Sequence, residues 1–222
     1  MSLKAILAEA QRRAKQGDHK YSYDDLLRIR QDENKSLIGE IAQRKKESAA
    51  QSITGRSGIM PLHQGCTIEN YEVQSHEQAF ARDFAKNYIE TFHQNFGRGF
   101  IFSGLSGTGK NHLSSAICND LMSKGKSCLV ITVTELMMKM RKCYSKDPEC
   151  AEDEFIKRLV ALDLMVIDEI GLQKKSDHES IILNQIIDQR IGNLKPTGLL
   201  TNIDAQSMNE CLFCMCFVRL FC

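Results

Sequence analysis

An apolar run, Phe100-Ile101-Phe102-Ser103, leads into Gly104-Leu105-Ser106-Gly107-Thr108-Gly109-Lys110-Asn111-His112, and Asn111 to Lys124 carries a helical pattern. Strand, Gly-x-x-x-x-Gly-Lys and helix in that order are what a phosphate-binding loop requires. The glycines let backbone N–H groups turn inward around β- and γ-phosphates, and the helix N-terminus adds the positive end of its dipole. Lys110 neutralises the charge that gathers there, so the expected ligand is a nucleoside triphosphate. Asn111 stands where Ser or Thr usually gives a hydroxyl to Mg²⁺. An amide oxygen can also ligate Mg²⁺, directly or through water, which makes Asn111 a candidate metal ligand. A plain glycine-rich turn between strand and helix is the competing reading.

Leu162-Asp163-Leu164-Met165-Val166-Ile167-Asp168-Glu169 is a buried-strand pattern ending in two adjacent carboxylates. Alternation at the strand end aims them differently. Asp168 is expected to hold Mg²⁺, directly or through water, and Glu169 to orient or deprotonate the water that attacks the γ-phosphate. Alone, an Asp-Glu pair at a strand end can arise by chance; here it follows the phosphate loop with a strand and a helix between. A later short strand, Pro196 to Asn202, ends in the polar pair Thr201-Asn202, where an Asn that merely caps a turn is also possible.

These residues need a scaffold, and the composition allows one. A chain of 222 residues, 42% hydrophobic and 26% charged, holds one sizeable domain plus an appendage. No stretch approaches the roughly 20 apolar residues of a membrane span, and the N-terminus lacks an apolar signal core, so a cytoplasmic protein with no membrane partner is expected. Cys66, Cys118, Cys128, Cys143 and Cys150 are scattered singly, as buried reduced thiols would be. Net charge is +1 and only residues 1–60 are mildly basic, a weak pointer to a partner surface.

Residues 1–52 read as a small, polar helical module with Leu3, Ile6, Leu7 and Ala10 on one face, suited to packing on the next domain or on a partner. Residues 53–75 form a linker and lead-in, and 76–210 the main domain. There Glu77 to Phe96 is helical, with Phe80, Phe84, Tyr88 and Phe92 stepping by four toward the core. Ser127 to Val133 is a nearly continuous apolar strand, and Thr134 can cap a helix over Glu135 to Tyr144. Ser180 to Asn193 is a further helix. Alternating strands and helices imply an α/β domain with a mainly parallel sheet covered by helices and ligands at the strands' carboxyl ends.

Arg56-Ser57-Gly58-Ile59-Met60-Pro61-Leu62-His63-Gln64-Gly65-Cys66-Thr67-Ile68-Glu69-Asn70-Tyr71 closely resembles the segment that opens the ATPase domain of bacterial replicative helicase loaders of the DnaC type. The resemblance runs through Lys110-Asn111-His112 to about Asn209, and more loosely covers residues 1–50 as a helicase-binding module. It implies an AAA+ P-loop core, ATP and Mg²⁺ as cofactors, and Thr67 to Tyr71 near the nucleotide base. It also implies that Asn202 is the sensor amide that positions the lytic water between Glu169 and the γ-phosphate, and that Lys139, Arg141 and Lys142 meet single-stranded DNA. A solvated basic face on an ordinary amphipathic helix remains the alternative for those three. The function implied is an ATP-dependent loader that binds the replicative helicase through its N-terminal helices. An IstB-like transposition helper and a hydrolysis-defective, helicase-binding adaptor are the alternatives.

Past Met208 the composition changes. Cys211-Leu212-Phe213-Cys214-Met215-Cys216-Phe217-Val218-Arg219-Leu220-Phe221-Cys222 holds four cysteines and one charge, where the family carries arginines that complete a neighbouring subunit's site. Cys211, Cys214 and Cys216 are weak evidence for zinc. The expectation is an aberrant tail over 211–222, from a changed reading frame near Cys211 or a truncation. With Arg190 and Arg219 the only late arginines, ATP should bind but turn over weakly, and self-association should be weakened.

Overall fold

The structure, a computed structural model, describes residues 28, 31, 32, 51, 53, 58–95, 97–143, 152–171 and 177–202. The chain divides into two compact units, 1–44 and 45–222. Nearly all of the expected helical module and the whole Cys-rich tail, with Cys211, Cys214, Cys216 and Arg219, lie outside the described residues.

Among the described residues four parallel strands form one sheet: β1 (Phe100–Ser103), β2 (Cys128–Thr132), β3 (Leu164–Asp168) and β4 (Thr197–Thr201). Their order is β1-β4-β3-β2, so β4 separates the strand that feeds the glycine loop from the strand that ends in Asp168. The helices are α1 (His76–Thr91), α2 (Lys110–Ser123), α3 (Val133–Cys143), α4 (Glu152–Ala161) and α5 (Asp177–Gly192). This is the expected α/β architecture, a parallel sheet between two helical layers.

The period-two geometry of a strand sorts the core into those layers. Leu164 and Val166 of β3 join Phe100, Phe102 and Leu200 under α1 and α2. Met165 and Ile167 face the other way, with Leu129, Ile131 and Leu199, against α3, α4 and α5. Because both faces are covered, every residue of β4 is buried, and the strands read as apolar runs.

Local signals explain the boundaries. Ser75 caps α1 by accepting from the Gln78 N–H at 3.3 Å. Gly125, at φ 77°, closes α2; its N–H and that of Lys126 donate to Met122 and Leu121 carbonyls. The cap of α3 is Thr132 rather than Thr134: the helix starts directly where β2 ends, and the Glu135 N–H donates to Thr132 Oγ1 at 3.1 Å. The four-residue aromatic step along α1 is only partly core. Tyr88 is buried, but Phe84 is 38% and Phe80 71% exposed.

Arg190 of α5 is fully buried beneath the sheet's N-terminal edge. It donates to the carbonyls of Leu159, Leu162 and Pro196 and to Thr197 Oγ1, so four acceptors surround one guanidinium. Burial pushes its pKa down to about 10. Cys66, Cys118 and Cys128 are buried thiols outside any disulfide. Among the described residues no helix is long and apolar enough to cross a membrane.

Candidate functional site

The glycine loop joins β1 to α2 at the carboxyl end of the sheet. Gly107 and Gly109 adopt φ of 84° and 87°, a region that L side chains rarely enter. A Cβ at Gly107 would meet nothing within 4 Å, so the loop is open on the side where a phosphate would lie. At Gly109 a Cβ would come within 2.5 Å of the Tyr71 ring, which braces the loop from behind. The Tyr71 hydroxyl donates to Thr108 O at 3.0 Å, and its ring lies 5.3 Å from that of His112.

Lys110 Nζ donates to Gly104 O at 2.7 Å and Leu105 O at 2.8 Å, holding the ammonium inside the loop. Burial lowers its pKa from the usual lysine value, and the Asp168 carboxylate works against that shift. Asn111 Nδ2 donates to Asp168 Oδ2 at 2.9 Å, tying the first turn of α2 to the tip of β3. The other Asp168 oxygen accepts from the Glu169 N–H at 2.7 Å. Glu169 has φ 63°, uncommon for a residue with a side chain, and β3 turns sharply there. Beyond it, Ile170 N–H donates to Leu200 O and Thr201 Oγ1 to Ile170 O, which fixes the end of β4 beside the acidic pair.

Ser106, Gly107, Gly109, Lys110, Asn111, His112, Asp168, Glu169 and Asn202 line one cavity of about 440 Å³, within the range of small-ligand sites. Three of the nine candidate loop residues are not among its lining. Gly104 and Thr108 border a groove on the loop's opposite face, and Leu105 is 77% exposed. A positively charged nest beside an open carboxylate suits a triphosphate with Mg²⁺, because that ion is commonly held by one or two protein oxygens plus phosphate. The described residues hold no cluster of three or more His, Cys, Asp or Glu that could bind a metal by themselves. Asp168 and the amide oxygen of Asn111 are the protein donors that fit.

The cavity's far wall is Leu62, His63 and Cys66, which sequence reasoning did not single out beyond the stretch that contains them. Asn119 of α2 holds that wall, its Nδ2 donating to His63 O at 3.0 Å and Cys66 O at 2.8 Å. His112 Nε2 lies 3.0 Å from Thr67 O, so the lead-in is strapped to α2 at two points, His112 in its first turn and Asn119 in its third. An Asn one helical face away from a phosphate loop carries no sequence signal of such a role.

The expected DNA-contacting cations lie on α3, outside the cavity. Lys139 pairs with Glu135 at 3.9 Å and Arg141 with Glu179 of α5 at 3.0 Å; Lys142 sits in the last turn.

Residues 2–203 match the protein family described as IstB-like ATP binding protein. The replicative helicase loader DnaC of Escherichia coli strain K12 is 40% identical over 189 residues, which cover 85% of this chain and 76% of that protein. The loader of the same name from Buchnera aphidicola subsp. Schizaphis graminum is 40% identical over 191 residues, 86% of this chain and 77% of that protein. Among solved structures, a DnaC helicase loader superposes with a TM-score of 0.61 at 22% identity, covering 70% of this chain and 88% of that one. AMPPCP-bound DnaA from Aquifex aeolicus gives 0.57 at 22% identity, over 68% of this chain and 45% of that one. At such identities the structures speak for the fold.

Proposed function

This chain belongs to the IstB-like ATP binding protein family, and from that premise we propose that it is an ATP-dependent loader of a replicative DNA helicase. The observation that carries the nucleotide half of the reading is the 2.9 Å bond from Asn111 to Asp168. It brings the phosphate loop and the acidic strand to one cavity, where a triphosphate, a metal and a water can be handled together. The loader half rests on 40% identity to the replicative helicase loader DnaC across 85% of the chain.

In the proposed mechanism the N–H groups of Ser106, Gly107, Gly109, Lys110, Asn111 and His112, the loop residues that line the cavity, surround the β- and γ-phosphates, and Lys110 exchanges the carbonyls of Gly104 and Leu105 for phosphate oxygens. Asp168, with Asn111, would hold Mg²⁺, which would supply charge neutralisation at the phosphates. Glu169 is exposed at the cavity rim and orients or deprotonates the attacking water, while the Asn202 amide positions that water. Residues 1–52 grip the helicase, Lys139, Arg141 and Lys142 meet single-stranded DNA, and ATPase domains associate with one another in the cytoplasm.

An arginine supplied in trans is worth on the order of 10³–10⁵ in phosphoryl-transfer rate. Arg190 is enclosed by four acceptors of its own chain and is not available for that part. The match to an IstB-like family keeps the transposition helper as a second reading, and a hydrolysis-defective, helicase-binding adaptor is the third.

Mixing the full chain with a replicative helicase, with and without ATP, and measuring complex mass and phosphate release separates the three. A loader gives a complex and ATP turnover that Glu169→Gln abolishes. A complex with no turnover at all leaves an adaptor, and the absence of any complex sinks the loader reading.

A further inference from the structure

Among the described residues the backbone N–H of Gly109 has no acceptor. It belongs to the peptide that joins Thr108 to Gly109, and that peptide crosses the loop from one face to the other. Thr108 borders the groove on the opposite face, whereas Gly109 lines the nucleotide cleft. Two side chains hold the outer end: Thr108 O accepts from the Tyr71 hydroxyl at 3.0 Å and from Gln78 Nε2 at 3.4 Å. In a planar trans peptide the carbonyl and the following N–H point in opposite directions. A carbonyl drawn toward Tyr71 and Gln78 therefore turns the Gly109 N–H toward the cleft.

We propose that Tyr71, seconded by Gln78, is a positioning residue for triphosphate binding: it fixes the Thr108–Gly109 peptide so that the Gly109 N–H stands ready to donate to a phosphate oxygen. The proposal rests on the nucleotide reading of the cleft and adds to it the groups that orient the loop.

The loop needs such a brace. Turning this peptide over changes φ of Gly109, and glycine sets no steric bar to that change. Turned over, the peptide would face the phosphates with a carbonyl oxygen, which repels them. Holding it in the binding orientation beforehand spares the ligand that cost.

Both braces are themselves secured. Tyr71 is buried, and burial raises its pKa above the ordinary tyrosine value, so the hydroxyl remains a donor at neutral pH. Its ring packs so closely on Gly109 that even a Cβ there would collide with it. Gln78 is tied at its other end, where Oε1 accepts from the Gln74 N–H at 2.6 Å beside the Ser75 cap of α1.

Tyr71→Phe keeps the ring and removes one donor; Tyr71→Phe with Gln78→Met removes both. Titrating the full chain with a fluorescent ATP analogue should show affinity reduced roughly 2- to 13-fold by the first, the range for one net hydrogen bond, and further by the second. An amide spectrum separates orientation from a merely structural role. Isotope labelling of threonine carbonyl carbons together with glycine nitrogens selects the amides of Gly55, Gly109 and Gly198, the three glycines that follow a threonine. Gly55→Ala deletes the first signal, and Gly198, buried in β4, is the internal reference. Mg·AMPPNP should move the Gly109 signal in the parent chain, less in Tyr71→Phe and least in the double variant, with Gly198 unmoved throughout. Lys110→Ala tests the nucleotide reading separately. If Lys110→Ala weakens binding while the Tyr71 variants keep full affinity or a full Gly109 shift, the positioning role is overturned and the nucleotide site stands. If Lys110→Ala binds as the parent does, both fall.

Discussion

At the scale of single residues, the site is poised by bonds that a ligand must replace. Lys110 holds its ammonium on two loop carbonyls at 2.7 and 2.8 Å, and burial has already lowered its pKa. Phosphate binds the protonated form, so triphosphate affinity should be full at neutral pH. It should fall as pH rises through the lowered Lys110 pKa, below the ordinary 10.5. Fluorescence titration with a nucleotide analogue across that range checks the sign. Lys110→Arg should carry the affinity to higher pH, and Lys110→Ala should cost about 1.5–3 kcal/mol, roughly 10- to 150-fold, for a lost charged hydrogen-bonding group. Undiminished binding by Lys110→Ala would remove the phosphate role from the loop. Asn111 illustrates how a residue atypical for its position can still fit, since its amide donates to Asp168 with one end and leaves an oxygen for a metal.

At the scale of elements, the lead-in segment matters as much as the loop. Asn119 donates to two of its carbonyls, Ile59 is fully buried, and Gly58 O accepts from Val130 N–H of β2. Asn119→Ala removes two hydrogen bonds, at about 0.5–1.5 kcal/mol each. It should raise hydrogen exchange at amides from His63 to Tyr71 while leaving β3 protected. Exchange that stays at the wild-type level would mean that burial alone fixes the strap. The strap's partners were not legible in the sequence because they lie far along the chain, joined only when α2 lies against it. The α1 pattern misled for a related reason. A four-residue step marks one helix face, but Phe80 lies beside the sheet edge, where no described residue covers it.

At the scale of the molecule, two helical layers share a thin sheet whose lower edge is closed by Arg190. Arg190→Met keeps apolar volume but takes the guanidinium donor from the carbonyls of Leu159 and Leu162, while Pro196 O keeps the Met165 N–H at 3.5 Å. Unsatisfied buried groups cost about 1–3 kcal/mol each, so the loss should reach about 2 kcal/mol or more. Urea unfolding of the two proteins measures it, and an unchanged midpoint would show that water takes over the carbonyls. Arg190 was legible in the sequence only as a late arginine; its burial depends on β3, β4, α4 and α5 converging. The sequence alone determined the strands, the glycine loop, the acidic pair and the fold class, because backbone conformation, apolar period and loop chemistry are local properties. Only the tertiary structure decided that Asn111 bonds Asp168, that Asn119 holds the cleft's far wall, that Arg190 is enclosed, and that β1 is the edge of the sheet among the described residues. Those facts arise where segments distant in sequence meet, and the free energy of such contacts is not written in either segment by itself.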